Sequence, residues 1–318
     1  MARNKKTSGS LFTFMNFLIA LLLKNGQYRT MQHYKATLNS YKRYRKDKDI
    51  TFKEIDAKEM QSYEAYLKNV AKVCNNTSSF YLRILRATYN KAVEKGYATQ
   101  QNPFKDVYTG IAKTNKRAIP TESVSSIKRL DSTIALTPKQ ELARDTFMMC
   151  FYLRGISFID LVHLRKSDLK DGFISYTRSK TGQRISIRWE KEMQDIVDKY
   201  QAKTADSTYL FPFLASGTNS KNGTLQDKRQ DELRLYHNAE SRITYHLKKL
   251  GAKIGAKGKL TLYVARHTWA TTARDNQVPI SVISMALGHN SETTTQIYLR
   301  SIQSSEVDDA NAKILASI

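Results

Sequence analysis

Three observations predict a mainly α-helical fold with one small β-sheet, divided into two domains. Apolar residues recur at helical spacing through most of the chain. That period switches to two in a single place, where "GFISYTR" and "QRISIRW" flank a turn at Ser179 to Gly182. The length of 318 residues suits roughly two domains of about 100 to 200 residues each. The expected boundaries are a helical domain over 1–104, a linker over 105–120 and a mixed α/β domain over 121–318.

The first helix is "LFTFMNFLIALLL", Leu11 to Leu23, and the second begins after the break at Lys24-Asn25-Gly26. The basic residues before it, with this apolar run, also fit a signal anchor; the run is short for a membrane span and no small-residue cleavage site follows it. Asp56 caps a third helix, in which Met60, Tyr63, Tyr66 and Leu67 recur at helical spacing. The fourth runs from Asn75 to Gly96 and closes on that glycine. Lys105 to Pro120 lacks periodicity and reads as the linker.

In the second domain, helices are predicted in "ESVSSIKRL", "TPKQELARDTFMMCFYLRG" and "SFIDLVHLRKSDL", then the hairpin. Further helices follow at 190–201, 237–250, 263–275, 280–287 and around 293–301, with a polar surface excursion between Ala202 and Tyr236.

Lys and Arg number 52 against 29 Asp and Glu, a net charge of +23, which points to a polyanionic partner: nucleic acid or an anionic membrane surface. Lys42, Arg43 and Arg45 on the second helix stand among tyrosines, and Arg83 and Arg86 share a face of the fourth. These five residues are candidate DNA contacts, the alternative being a solvated helix face. Cys74 and Cys150 stand alone without ligand spacing, which argues for a reducing, cytoplasmic setting and against a structural zinc. No metal site and no cofactor is expected.

Near the C-terminus, "LYVARHTWATTARDN" carries Tyr263 and Arg266, and "MALGHNSETTTQIYLRS" carries His289 and Tyr298. Alone, the latter reads equally as a helix stopped by glycine and a second helix with a half-buried tyrosine. Upstream stand Lys180 at the hairpin tip and Arg154 in "CFYLRGISFIDLVHL". This order of arginine, hairpin lysine, tyrosine-x-x-arginine, glycine-histidine and tyrosine resembles the tyrosine recombinase (phage integrase) family. The resemblance extends over essentially the whole chain and is most specific in 265–299, where His289 precedes Tyr298 by nine residues. It implies a SAM-like core-binding domain followed by a catalytic domain, acting on double-stranded DNA as a tetramer, with accessory DNA-bending proteins as further candidate partners.

The resemblance also implies roles. Tyr298 is the nucleophile and forms a 3′-phosphotyrosine; Arg266 grips the phosphate; His289 donates to a phosphate oxygen; Lys180 protonates the departing 5′ oxygen. Conserving the bond energy in the covalent link makes ATP unnecessary. Phosphodiester cleavage without a metal needs such a nucleophile, cations and acid. On local grounds Lys180 is equally an ordinary turn lysine.

Two positions depart from the pattern. Tyr263 stands where many members have histidine, and its phenol can donate but is a poor base at neutral pH. The usual first arginine falls on Ser157, with Arg154 three residues earlier. Placing both on one helix face transfers the role to Arg154, as in the integrases of Bacteroides-type mobile elements that the "FYLRGISFIDL" form resembles; the alternative is a salt bridge from Arg154 to Asp160. Three activities follow as candidates: a site-specific recombinase (integrase or invertase), a type IB topoisomerase-like enzyme, and an inactive DNA-binding relative. The tail after Tyr298, with Ile314, Leu315 and Ile318, is expected to dock on a neighbouring subunit, the alternative being a frayed end.

Overall fold

The computed structural model describes residues 9–112, 118–130, 135–214, 224–256, 259–299 and 315, without the side chains of residues 225, 226, 297 and 298. The chain forms two compact units, Met1–Thr114 and Asn115–Ile318.

Unit one is built from α1 (Leu11–Lys24), α2 (Tyr28–Arg45), α3 (Ala57–Ala65) and α4 (Asn75–Glu94). The apolar first helix buries Leu11, Phe12, Phe14, Met15, Leu18 and Leu22 inside its own unit. Each such side chain is worth about 1.5–3 kcal/mol on burial, which accounts for a run this apolar without a lipid partner. Among the described residues no helix is long and apolar enough to cross a membrane. Asp56 caps α3 by accepting from the Glu59 backbone at 2.7 Å, as its position predicts. Tyr34, Tyr41 and Tyr44 of α2 turn inward: Tyr41 is fully buried and meets Tyr63 edge to face at 4.8 Å.

The expected linker is not one piece. Its first half packs on unit one: Phe104 and Val107 join the core, Asn76 and Ala112 exchange two hydrogen bonds, and the Tyr108 N–H donates to Glu64. Backbone polar groups paired in this way make Lys105 to Ala112 part of the domain. By contrast Ile119 already belongs to unit two, its N–H donating to Thr268 at 3.1 Å.

Unit two is organised around α6 (Pro138–Tyr152), preceded by α5 (Thr121–Lys128). A Thr137–Gln140 capping box with Pro138 in the first turn starts α6, and residues 143–150 are buried without interruption. After α7 (Phe158–Val162) comes an antiparallel sheet in the order β1 (Leu169–Lys170), β2 (Phe173–Thr177), β3 (Arg184–Arg188). The hairpin has the register its alternation predicts, with Ile174 opposite Ile187 and Tyr176 opposite Ile185; the short β1 is an addition.

Beyond α8 (Lys191–Lys199) the structure corrects the expected surface excursion. Leu210, Phe211, Phe213 and Leu214 are buried in the main core, and α9 runs from Leu225 to Lys253, starting at a Thr224–Asp227 capping box. Residues 227–230 are exposed and polar, so no apolar period marks the start of the helix. Next come α10 (Leu262–Asp275), α11 (Ile280–Ala286) and α12 (Glu292–Leu299). Ala270, Ile283, Leu287 and Leu299 close a small second core among these three helices. The proposed docking tail lies outside the described residues apart from Leu315, which is exposed.

Candidate active site

Arg266 projects from α10 and is 6 % exposed. Its guanidinium donates to the carbonyls of Gly155 at 2.7 Å and Leu287 at 2.5 Å, and stands 3.1 Å from Nε2 of His289. Gly155 is required there. Its φ is +74°, and a Cβ would lie 2.7 to 2.9 Å from the Cγ, Cα and Cβ of Arg266.

His289 follows Gly288, whose φ of +63° ends α11 in the left-handed region. Its Nδ1 lies 2.8 Å from Oγ1 of the fully buried Thr295 on α12. An arginine N–H can only donate, so Nε2 is the acceptor toward Arg266 and the imidazole proton sits on Nδ1, aimed at Thr295. Burial, followed by the positive charges of Arg266, Arg178 and Lys180, pulls His289 down to about 4, which keeps it neutral near pH 7. In this state Nε2 of His289 accepts a hydrogen bond, and only Nδ1 is left to donate one.

Lys180 sits exposed at the hairpin tip, in a turn closed by the N–H groups of Thr181 and Gly182 on the Arg178 carbonyl. Tyr298 belongs to α12, three residues beyond Thr295; its side chain lies outside the described residues. Tyr263, in the first turn of α10, is 59 % exposed and meets the His267 ring edge-on at 4.6 Å.

The spacing argument for Arg154 fails structurally. Helix α6 stops at Tyr152, Arg154 has φ +55°, and Ser157 caps the next helix, so Arg154 and Ser157 do not share a helix face. Nor does Arg154 pair with Asp160. That buried carboxylate accepts from the Ser157 hydroxyl at 2.5 Å and from the Ser179 backbone N–H at 2.9 Å.

Sequence reasoning missed Arg178. It is 8 % exposed, and its Nη1 donates to the Gly288 carbonyl, which the Thr181 hydroxyl also approaches at 3.4 Å. A signal was present: Ile174, Tyr176 and Arg178 lie two apart, which carries the strand's inward face on to a charged residue.

Of the candidate DNA contacts in unit one, Arg43 is exposed, while Lys42 lies 5.4 Å over the Phe12 ring and Arg45 is 3.3 Å from Glu59. Arg83 is half-buried, and the exposed Arg86 donates to the Thr109 hydroxyl at 2.9 Å. Among the described residues no group of three His, Cys, Asp or Glu could hold a metal ion.

Residues 10–111 match the phage integrase SAM-like domain, and residues 124–304 match the phage integrase family. The chain is 27 % identical over 193 residues to the tyrosine recombinase XerA of Pyrococcus furiosus, which covers 60 % of this chain and 59 % of that protein. It is 23 % identical over 288 residues to the tyrosine recombinase XerC of Leptospira interrogans, 90 % of this chain and 86 % of that one. In fold it is similar to a XerH site-specific recombinase bound to a palindromic difH substrate, with a TM-score of 0.68 at 14 % identity over 92 % of this chain and 83 % of that one. A lambda integrase dimer bound to a COC′ core site gives a TM-score of 0.62 at 15 % identity, over 93 % and 97 % of the two chains.

Proposed function

We propose that this chain, which belongs to the phage integrase family, cuts and rejoins DNA at specific sites through a 3′-phosphotyrosine on Tyr298. The reading is supported by one observation above all. A buried arginine, Arg266, stands 3.1 Å from His289, which in turn contacts Thr295 on the helix that carries Tyr298. Guanidinium and imidazole so held suit the charge that develops on a phosphate during transfer.

In this mechanism the Tyr298 oxygen bonds to phosphorus as the bond to the 5′ oxygen breaks. The phenol gives up one proton and the departing oxygen takes one from Lys180, so the step is proton-neutral overall. Rejoining runs the same exchange in reverse, with a 5′ hydroxyl attacking the phosphotyrosine. The bond energy stays in the covalent link, and neither ATP nor a metal takes part. The proposed substrate is double-stranded DNA carrying paired recombination sites, and the working assembly is a tetramer on two duplexes. The structures similar in fold include a lambda integrase tetramer bound to a Holliday junction.

The test is a duplex taken from DNA flanking the coding sequence, with inverted repeats about a short spacer, nicked beside the cleavage point so that the broken end diffuses away. The wild-type protein should accumulate as a covalent DNA adduct in EDTA, and Tyr298→Phe should bind the duplex without forming it. An adduct with Tyr298→Phe would move the nucleophile elsewhere.

A further inference from the structure

We infer that Arg178, at the end of β2, is a catalytic residue that contacts a non-bridging oxygen of the scissile phosphate beside Arg266. The inference rests on the recombinase reading and adds to it the second guanidinium for which position 157 offers only a serine.

The first support is an electrostatic imbalance. A buried guanidinium is costly unless a carboxylate pairs with it. Arg178 has no such partner among the described residues; its hydrogen bond goes to the Gly288 carbonyl. Asp160 shares with Arg178 the surroundings of Tyr176, but its two oxygens are taken by Ser157 and the Ser179 backbone. Among the described residues, then, Arg178 is a desolvated cation held by a carbonyl oxygen and by no direct carboxylate contact, which leaves it suited to an arriving anion.

The second support is placement. Arg266 holds the Leu287 carbonyl and Arg178 the carbonyl of the next residue, Gly288. The two guanidiniums are thus anchored on consecutive peptide units, whose Cα atoms are about 3.8 Å apart. His289 follows directly, and it is Arg266, Arg178 and Lys180 whose charges act on its imidazole. Arg154 is not among them. Two forks on one phosphate supply what one fork and a point charge cannot, paired hydrogen bonds to both non-bridging oxygens.

The test compares adduct formation on the nicked duplex with a normal scissile phosphodiester and with a methylphosphonate there, in which one non-bridging oxygen is replaced by an uncharged methyl. Arg178→Gln keeps an amide donor for Gly288 and loses the charge. We expect it to lose roughly 10²–10³-fold in rate on the phosphodiester, and at least about tenfold less on one methylphosphonate stereoisomer, since a neutral phosphonate needs one cation fewer. A structural defect would not distinguish the two substrates. Arg178→Lys should recover part of the phosphodiester rate, and supplies the comparison if the glutamine variant unfolds. Equal losses on both substrates, near-normal phosphodiester cleavage by Arg178→Gln, or methylphosphonate rescue of Arg154→Gln in its place would each overturn the assignment. A wild-type protein that forms no adduct on the phosphodiester overturns the recombinase reading, and this assignment with it.

Discussion

The carboxylate of Asp160 accepts the backbone N–H of Ser179 at 2.9 Å, tying α7 to the hairpin that carries Arg178 and Lys180. Its other oxygen holds the hydroxyl of Ser157, the residue that begins α7. One buried side chain thereby holds both the start of a helix and the base of the turn that carries Lys180.

Replacing Asp160 with alanine leaves the Ser179 N–H without its acceptor, at a cost of roughly 1–3 kcal/mol. Asp160→Asn retains one carbonyl oxygen and should cost less. Urea unfolding gives the order directly, and adduct formation should fall in the same order as the hairpin loosens. An alanine variant as stable as wild type would remove this tie from the account.

Gly155→Ala should damage both stability and cleavage, because the added methyl meets Arg266 at under 3 Å and φ is +74°. Gly172 isolates the backbone part of that effect: its φ is +75° with nothing within 4 Å of a Cβ. Gly172→Ala is expected to cost about 1–2 kcal/mol from conformation alone. Gly155→Ala should exceed it by about 1–3 kcal/mol of overpacking. Matching urea midpoints for the two variants would argue against the close approach.

Acid should weaken the fold through His289. Its ordinary value of 6.5 falls to about 4 in the folded chain, so between these values the unfolded chain binds a proton that the folded chain refuses. This contribution to stability is intact above pH 6.5 and is lost as the pH falls toward 4. His289→Gln cannot take up that proton, so its urea midpoint should decline less than that of wild type across this window. Parallel declines would show that the imidazole titrates normally when folded.

In unit one, Arg43 and Arg86 should carry more of the salt dependence of DNA binding than Arg45, which is already paired with Glu59. A variant that neutralises one phosphate fewer should show a slope of log affinity against log salt that is shallower by about 0.9. Fluorescence anisotropy over a sodium chloride series should show that flattening for Arg43→Ala and Arg86→Ala. Slopes equal to wild type would put the DNA face of this unit elsewhere.

The four helices of unit one are readable because each keeps its apolar residues on one stripe, and the hairpin because its residues alternate. The start of α9 is not, since residues 227–230 face solvent and only the Thr224-x-x-Asp227 box announces it. Leu210 to Leu214 read as part of a polar loop because their place in the core depends on distant partners, such as the bridge between Tyr209 and Arg165. Arg266, His289 and Lys180 are recognisable from the order of motifs, but the carbonyls that orient Arg266 belong to residues 111 and 21 positions away. Helical spacing does not carry from Arg154 to Ser157 because Gly155 intervenes, and a glycine after an apolar run is a helix-stop signal.

On the proposed recombinase reading, the contact between Arg266 and a proton-free nitrogen of His289 makes the site depend on its substrate. Arg266, the proposed phosphate ligand, donates to two backbone carbonyls, and the histidine nitrogen that faces it has no proton to give. A phosphate changes both conditions at once: its oxygens compete for the guanidinium, and a negative charge within about 4–6 Å raises the imidazole's affinity for a proton. Competence for strand cutting is then conferred by the correctly seated substrate instead of being carried by the free protein. On that reading the DNA backbone to be cut itself supplies the charge that readies the histidine to donate.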